Sequence, residues 1–207
     1  MSLIEDIFGV ETIPNELPSG AAYEYYNDLN NRVLWLDSDV SEEEGTLLLI
    51  KQIIRWNRED IGKPEEERRP IIFYCFSFGG DIDICNSIID VIKASKTPVY
   101  TVNAGRSMSA AAYIYITGKK RFCFEHSYFL FHQGQGSLSG NYDEVDSQME
   151  DYKKKVSGLS EHIKKYTNYT ESEIKKNIKK EWYVSAKEAL EHGVCDKIIE
   201  SLDELIY

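Results

Sequence analysis

The chain has 207 residues, of which 42% are apolar and 29% are charged, and its formal net charge is −11 at pH 7. This length can bury a substantial core in one domain, and the acidic balance argues against nucleic acid as a partner, because phosphate binding needs a basic face. No apolar run approaches the roughly 18 residues of a membrane span, and no basic, apolar secretory signal opens the chain. We therefore expect a cytoplasmic protein that binds neither membrane nor nucleic acid.

Four cysteines are scattered along the chain, at positions 75, 85, 123 and 195, without a C-x-x-C pair. This spacing matches no common zinc motif and argues against a disulfide framework. We expect reduced, mostly buried thiols, no metal and no organic cofactor.

Residues 1–20 contain Pro14, Pro18 and Gly20 and show no steady period, which predicts a flexible arm before a single domain at 21–207. From there on, strand-like and helix-like patterns alternate. Alternation of this kind predicts an α/β fold with right-handed βαβ crossovers. The expected strands are 31–36, 71–76, 98–102, 121–124, 128–131, 182–184 and 198–199, and the expected helices are 41–59, 82–94, 107–117, 141–166, 171–179 and 186–192.

Three polar residues have contexts that suit nucleophilic catalysis. Ser107 lies where a small-residue turn opens into a helix, His132 ends the apolar run 128–131, and Glu181 precedes the run 182–184. A serine hydroxyl needs a base to accept its proton, and a carboxylate fixes the tautomer of that base. The sequence therefore predicts Ser107 as nucleophile, His132 as base and Glu181 as orienting acid. Ser109 is the alternative nucleophile, which we expect to face away from the direction of Ser107.

Gly79 and Gly80 follow a strand of the buried type and precede a helix. Backbone without side chains can approach a ligand closely, so this pair could supply one oxyanion donor, with the N–H of Met108 as the other. A tight strand-to-helix turn explains the glycine pair equally well.

A series of short motifs occurs along the chain in a set order: Gly79-Gly80, Ser107-Met108, Lys120-Arg121-Phe122, Phe131-His132-Gln133, 183–189 and 192–196. In this order, and with 25 residues from Ser107 to His132 and 49 from His132 to Glu181, the chain resembles the Clp protease proteolytic subunit family. The resemblance covers about residues 23–199. In it, Glu181 occupies the position of the family's aspartate, and Phe78, Arg106 and Ser109 depart from the family's usual residues.

The resemblance implies a crotonase/ClpP-like fold of repeated β-β-α units with a protruding handle region at about 134–166. It also implies a serine peptidase that assembles as stacked heptameric rings, a tetradecamer, and degrades unfolded polypeptides delivered by an ATP-driven (AAA+) unfoldase. By the same resemblance, Gly134, Gln135 and Gly136 belong to an edge that binds substrate peptide by β-addition.

Two other functions stay open on the sequence alone. The chain could be a catalytically inactive ring subunit that scaffolds active copies, if Glu181 or Arg106 disarms the site. It could also be an acyl-CoA enzyme of the same superfamily, which would use paired backbone N–H groups for a thioester oxyanion.

Overall fold

The computed structural model describes residues 19–42 and 44–205. The chain divides into a unit that ends at Asn31 and a unit from Arg32 to Tyr207. Within the first unit, Gly20–Asn30 forms helix α1, and the hydroxyl of Ser19 caps it by accepting the N–H of Ala22. This helix was not predicted. The predicted flexible arm falls largely outside the described residues, and the domain start at residue 21 stays a prediction.

The second unit is built on one seven-stranded, mostly parallel sheet. Its path runs β1-β2-β3-β4-β7; strand β5 pairs parallel with the end of β3, and β6 pairs antiparallel with β5. The predicted α/β class is confirmed. The strands are β1 (Val33–Leu36), β2 (Ile71–Ser77), β3 (Val99–Met108), β4 (Lys120–Cys123), β5 (Tyr128–Phe131), β6 (Trp182–Ser185) and β7 (Lys197–Ile198).

Helices connect these strands, as the alternating pattern predicts. Several begin with a side chain that accepts the free N–H groups of the first turn; Asp81, for example, caps the helix that starts at Ile82. The helices are α2 (Glu44–Glu59), α3 (Ile82–Ala94), α4 (Ala110–Ile116), α5 (Tyr142–Tyr166), α6 (Glu171–Asn177) and α7 (Ala186–Glu191), with short 3₁₀ turns at Glu65–Glu67 and Leu202–Leu205. None of the described helices is long and apolar enough to cross a membrane.

Helix α4 lies at the centre of the core, and every one of its residues is buried. Its Tyr115 ring packs against Phe129 at a centroid distance of 4.9 Å, and its Tyr113 ring meets Phe131 edge to face. These contacts join α4 to strand β5 across the sheet. The beginning of α4 is consequently fixed relative to the end of β5.

Two regions differ from the sequence-based expectation in ways that affect the site. Strand β3 continues to Met108, six residues beyond its predicted end, so the following helix begins at Ala110. The segment 132–139 forms no regular strand. Its backbone is held instead by α5: the hydroxyl of Tyr152 donates to the carbonyls of Gln133 and Gly134.

Candidate active site

Ser109 lies at the sharp turn between β3 and α4. Its backbone has φ 51° and ψ −125°, a conformation that side-chain-bearing residues rarely adopt. The turn is held by a hydrogen bond of 2.8 Å from the Ser109 N–H to the carbonyl of Leu130 on β5. Such a turn lifts the side chain of its central residue out of the sheet, at the start of a helix whose first N–H groups have no partner within the helix.

His132 follows directly after β5. Because β3 and β5 pair in parallel with Met108 opposite Leu130, the residues just beyond both strand ends come together. The Nε2 atom of His132 lies 2.6 Å from the Oγ of Ser109, within hydrogen-bond distance. The backbone of His132 is fixed as well, since its carbonyl accepts the hydroxyl of Tyr113 at 2.9 Å.

The protonation of His132 suits a general base. Burial lowers its pKa below the usual 6.5, because it disfavours the charged imidazolium, and the negative charge of Glu181 opposes that effect only in part. The neutral form of the imidazole is therefore favoured at pH 7. A neutral imidazole against a serine hydroxyl is the arrangement that can accept the hydroxyl proton.

The assignment of Ser107 as nucleophile is wrong in this structure. Ser107 lies in β3, paired with Ser77 of β2 on one side and Phe129 of β5 on the other, and its side chain is fully buried. Its Oγ has no hydrogen-bond partner within the described part of the chain. Ser109, the predicted alternative, takes the place beside His132.

Glu181 lies close to the site without contacting the imidazole through a hydrogen bond. Strands β5 and β6 pair with Phe131 opposite Trp182, so one further step of the register puts His132 opposite Glu181. The Oε2 atom of Glu181 accepts a hydrogen bond of 3.0 Å from the hydroxyl of Tyr183, and the residue is solvent-exposed. Its effect on His132 is electrostatic here.

The glycine pair borders the nucleophile. Gly79 has φ +99°, and a Cβ built on it would come within 2.7 Å of the Ser109 Cβ and 2.8 Å of the Ala110 nitrogen. Only glycine allows this approach. The Gly79 N–H donates to the Oγ of Ser77 at 3.1 Å, and Gly80 pairs with Val40.

The predicted role of the Met108 N–H depended on Ser107 and changes with it. Once Ser109 is the residue beside His132, the N–H that follows it belongs to Ala110, the first residue of α4. That group has no acceptor within the helix. Ala110 and Gly80 both line the cleft in front of Ser109, while the N–H of Gly79 is already bonded to Ser77.

These residues open into a cleft of about 510 Å³. Its floor includes Ser109, Ala110 and His132, and its walls come from the β2–α3 turn, from Gly134 and Gln135, and from Tyr152 of α5. Gly136 lies next to Tyr152, with an added Cβ 3.7 Å from that ring. The described residues contain no cluster of His, Cys, Asp or Glu side chains that could hold a metal ion.

A family model described as Clp protease matches residues 19–202. The chain belongs to the Clp protease family. It is 28% identical over 191 residues to ATP-dependent Clp protease proteolytic subunit 2 of Treponema pallidum, covering 90% of this chain and 92% of that protein. It is 27% identical over 179 residues to the protein of the same name from Treponema denticola, covering 86% of both chains.

Among solved structures, the chain resembles a point mutant of ClpP1 from Listeria monocytogenes, with a TM-score of 0.75. The match covers 88% of this chain and 99% of that one at 22% sequence identity. This likeness concerns the fold, and with the family match it confirms the predicted ClpP-like architecture and the resemblance stated from the sequence.

Sequence reasoning gave Ser109 the lesser role although one signal favoured it. Ser109 directly precedes Ala110-Ala111-Ala112, a run that begins a helix more readily than Met108 or Ser109 does. The residue before such a run is the natural position for a nucleophile at a helix start. The separation between the serine and His132 is then 23 residues rather than the 25 counted from Ser107.

Proposed function

We propose that the chain is a serine endopeptidase subunit with Ser109 as nucleophile, His132 as general base and Glu181 as the charge that stabilises the imidazolium. The observation that carries this proposal is the 2.6 Å contact between Ser109 Oγ and His132 Nε2 in an open cleft. Family membership supports the same chemistry. In this proposal the substrates are unfolded polypeptides.

In the acylation step, Ser109 Oγ attacks the peptide carbonyl carbon while its proton passes to His132 Nε2. The oxygen that becomes negative is stabilised by the N–H of Ala110 and by an N–H of the Gly79-Gly80 turn. As the C–N bond breaks, His132 returns the proton to the departing amine, which leaves an ester on Ser109.

In the deacylation step, water takes the place of the amine. His132 accepts a proton from the water as its oxygen attacks the ester carbonyl, and then returns that proton to Ser109 Oγ when the ester bond breaks. Glu181 makes the imidazolium less costly in both steps, since an opposite charge nearby favours the charged form. No metal or organic cofactor takes part in this proposal.

Assembly into stacked rings is part of the same proposal. The structure describes all residues of the 25-residue helix α5. Among them, only Leu159 and Ile163, near its C-terminal end, are buried. Apolar side chains nearer its beginning are exposed, Met149 among them. A helix of this kind is suited to packing against another subunit. We further propose an ATP-driven unfoldase as partner, because the chain is similar to proteins named ATP-dependent Clp protease proteolytic subunits.

One observation favours a second candidate, the inactive scaffold subunit. Glu181 is hydrogen-bonded to Tyr183 rather than to His132, so none of the described carboxylates holds the orientation of the imidazole. Triads that lose this contact lose much of their rate. The two candidates differ in one measurable property, the reactivity of Ser109.

Labelling with a fluorophosphonate probe, followed by peptide mapping, tests the proposal. We expect the adduct on Ser109, with labelling abolished in Ser109→Ala and retained in Ser107→Ala, because Ser107 is buried away from the cleft. An adduct on Ser107 would contradict the nucleophile assignment. A correctly assembled oligomer that remains unlabelled would favour the scaffold function.

A further inference from the structure

A positively charged side chain, Arg106, lies beside the cleft. The guanidinium carbon of Arg106 is 3.7 Å from the ring centroid of Phe78 and 4.3 Å from that of Phe76. Within the described part of the chain no carboxylate pairs with Arg106, and its Nε atom is buried without a hydrogen-bond partner. The two rings thus hold a guanidinium whose Nε has no hydrogen-bond acceptor among the described residues.

The position of Arg106 relative to the cleft follows from the strand. Arg106 and Met108 are two residues apart on β3, so both project from the same face of the sheet, while Ser107 between them points into the core. Met108 lines the cleft, and so does Phe78, the ring on which Arg106 stacks. Arg106 therefore extends the cleft wall by one step along the strand, roughly 7 Å from Met108.

The charges of the cleft make this cation distinctive. Asp81 and Glu181 are the charged residues among those that line the cleft in the described structure, so the cleft itself carries negative charge. An acidic group of a substrate would be repelled there. Arg106 is the neighbouring position at which a carboxylate gains a partner, and a planar guanidinium held between rings loses little freedom when it binds one.

We propose that Arg106 is a specificity-determining residue that binds an acidic side chain of the polypeptide substrate, close in sequence to the bond that is cleaved. The inference rests on the proposed peptidase function. Its ligand chemistry is a carboxylate, which could come from a Glu or Asp side chain or from the free end of a peptide.

Binding to the catalytically inactive Ser109→Ala protein separates this inference from the peptidase function. The probes are fluorescent decapeptides, acetylated and amidated, in which one Glu moves through the six central positions of a neutral sequence, each with a Gln counterpart. At one or two positions we expect Glu to bind about tenfold more tightly than Gln, the size of one charge-assisted hydrogen bond. Free-acid versions show whether a terminal carboxylate can substitute.

Variants of Arg106 in the same background give the second readout. Arg106→Gln should equalise Glu and Gln peptides, and Arg106→Lys should retain part of the preference because it keeps the charge. Arg58→Gln, which removes an exposed charge on α2, should change nothing. A merely structural role in packing Phe78 would weaken both peptides equally.

The inference is overturned if no position distinguishes Glu from Gln, if no peptide binds, or if the preference survives in Arg106→Gln. Hydrolysis of the same peptides by the unmodified protein tests the peptidase function separately. A Glu preference in binding without any hydrolysis would refute the proposed function and leave Arg106 as a residue that binds peptide carboxylates.

Discussion

The strained turn at Ser109 predicts that the nucleophile costs the fold stability. The backbone strain of a non-glycine residue at φ 51° and ψ −125° destabilises the fold by about 1–3 kcal/mol, and glycine avoids this strain. Ser109→Gly and Ser109→Ala both remove the hydroxyl and its contact with His132, so they differ only in the Cβ. We therefore expect the glycine variant to be the more stable of the two, although both are inactive.

Two other effects also distinguish glycine from alanine, and a second site can subtract them. Glycine raises the freedom of the unfolded chain, and it is tolerated better than alanine at a helix N-cap. Ser185 caps α7 with an ordinary φ of −73°. Ser185→Gly and Ser185→Ala differ by the same two effects but without backbone strain. The glycine–alanine difference at position 109, minus that at position 185, therefore measures the strain alone.

The measurement is the free energy of unfolding of the four variants from urea denaturation. The free energy of unfolding of the glycine variant should exceed that of the alanine variant by about 1–3 kcal/mol more at position 109 than at position 185. This corresponds to several degrees in Tm for a chain of this size. Equal differences at the two sites would refute the argument that the Ser109 backbone is strained.

Two further predictions concern the base and a buried ion pair. Because burial lowers the pKa of His132, kcat/KM should rise with pH with an apparent pKa below 6.5. Glu181→Gln should move this rise to still lower pH, because it removes the negative charge that raises the pKa of His132. A shift of the rise to higher pH would contradict this. Asp60→Asn should lower the free energy of unfolding by about 3–5 kcal/mol. The reason is that the fully buried Asp60 carboxylate accepts hydrogen bonds from Arg32, Lys63 and Thr97. A change below about 1 kcal/mol would show that Arg32 finds another partner.

Simple hydrophobic patterns in the sequence predicted that His132 and Glu181 lie next to strands. His132 follows a fully apolar run, and Glu181 precedes one, so their positions at the sheet edge depended only on local hydrophobicity. The α/β class followed from the alternation of such runs. These features are local, and the structure agrees with them.

The position of the nucleophile depended on contacts that the local sequence does not show. Residues 103–107 contain Asn and Gly and look like a turn, yet they form strand, because Asn103 pairs with β2 and β4 and Ser107 pairs with β2 and β5. Asn103 supports the pairing by donating from Nδ2 to the carbonyl of Tyr128. This pairing buries Ser107 and moves the helix start from residue 107 to residue 110. The segment 132–139 also lacks regular strand, and the Tyr152 hydroxyl donates to the carbonyls of Gln133 and Gly134; peptide binding at 134–136 stays a prediction.

The antiparallel pairing of β5 with β6 has a consequence for how this chain can vary. Between His132 and Glu181 the backbone leaves the sheet, forms α5 and α6, and returns, while the register of the two strands alone determines which residue faces the imidazole. Insertions in the segment between His132 and Glu181 therefore change the handle region without moving Glu181. Deletion of one residue inside β6 would instead exchange the two faces of the strand and turn the carboxylate away.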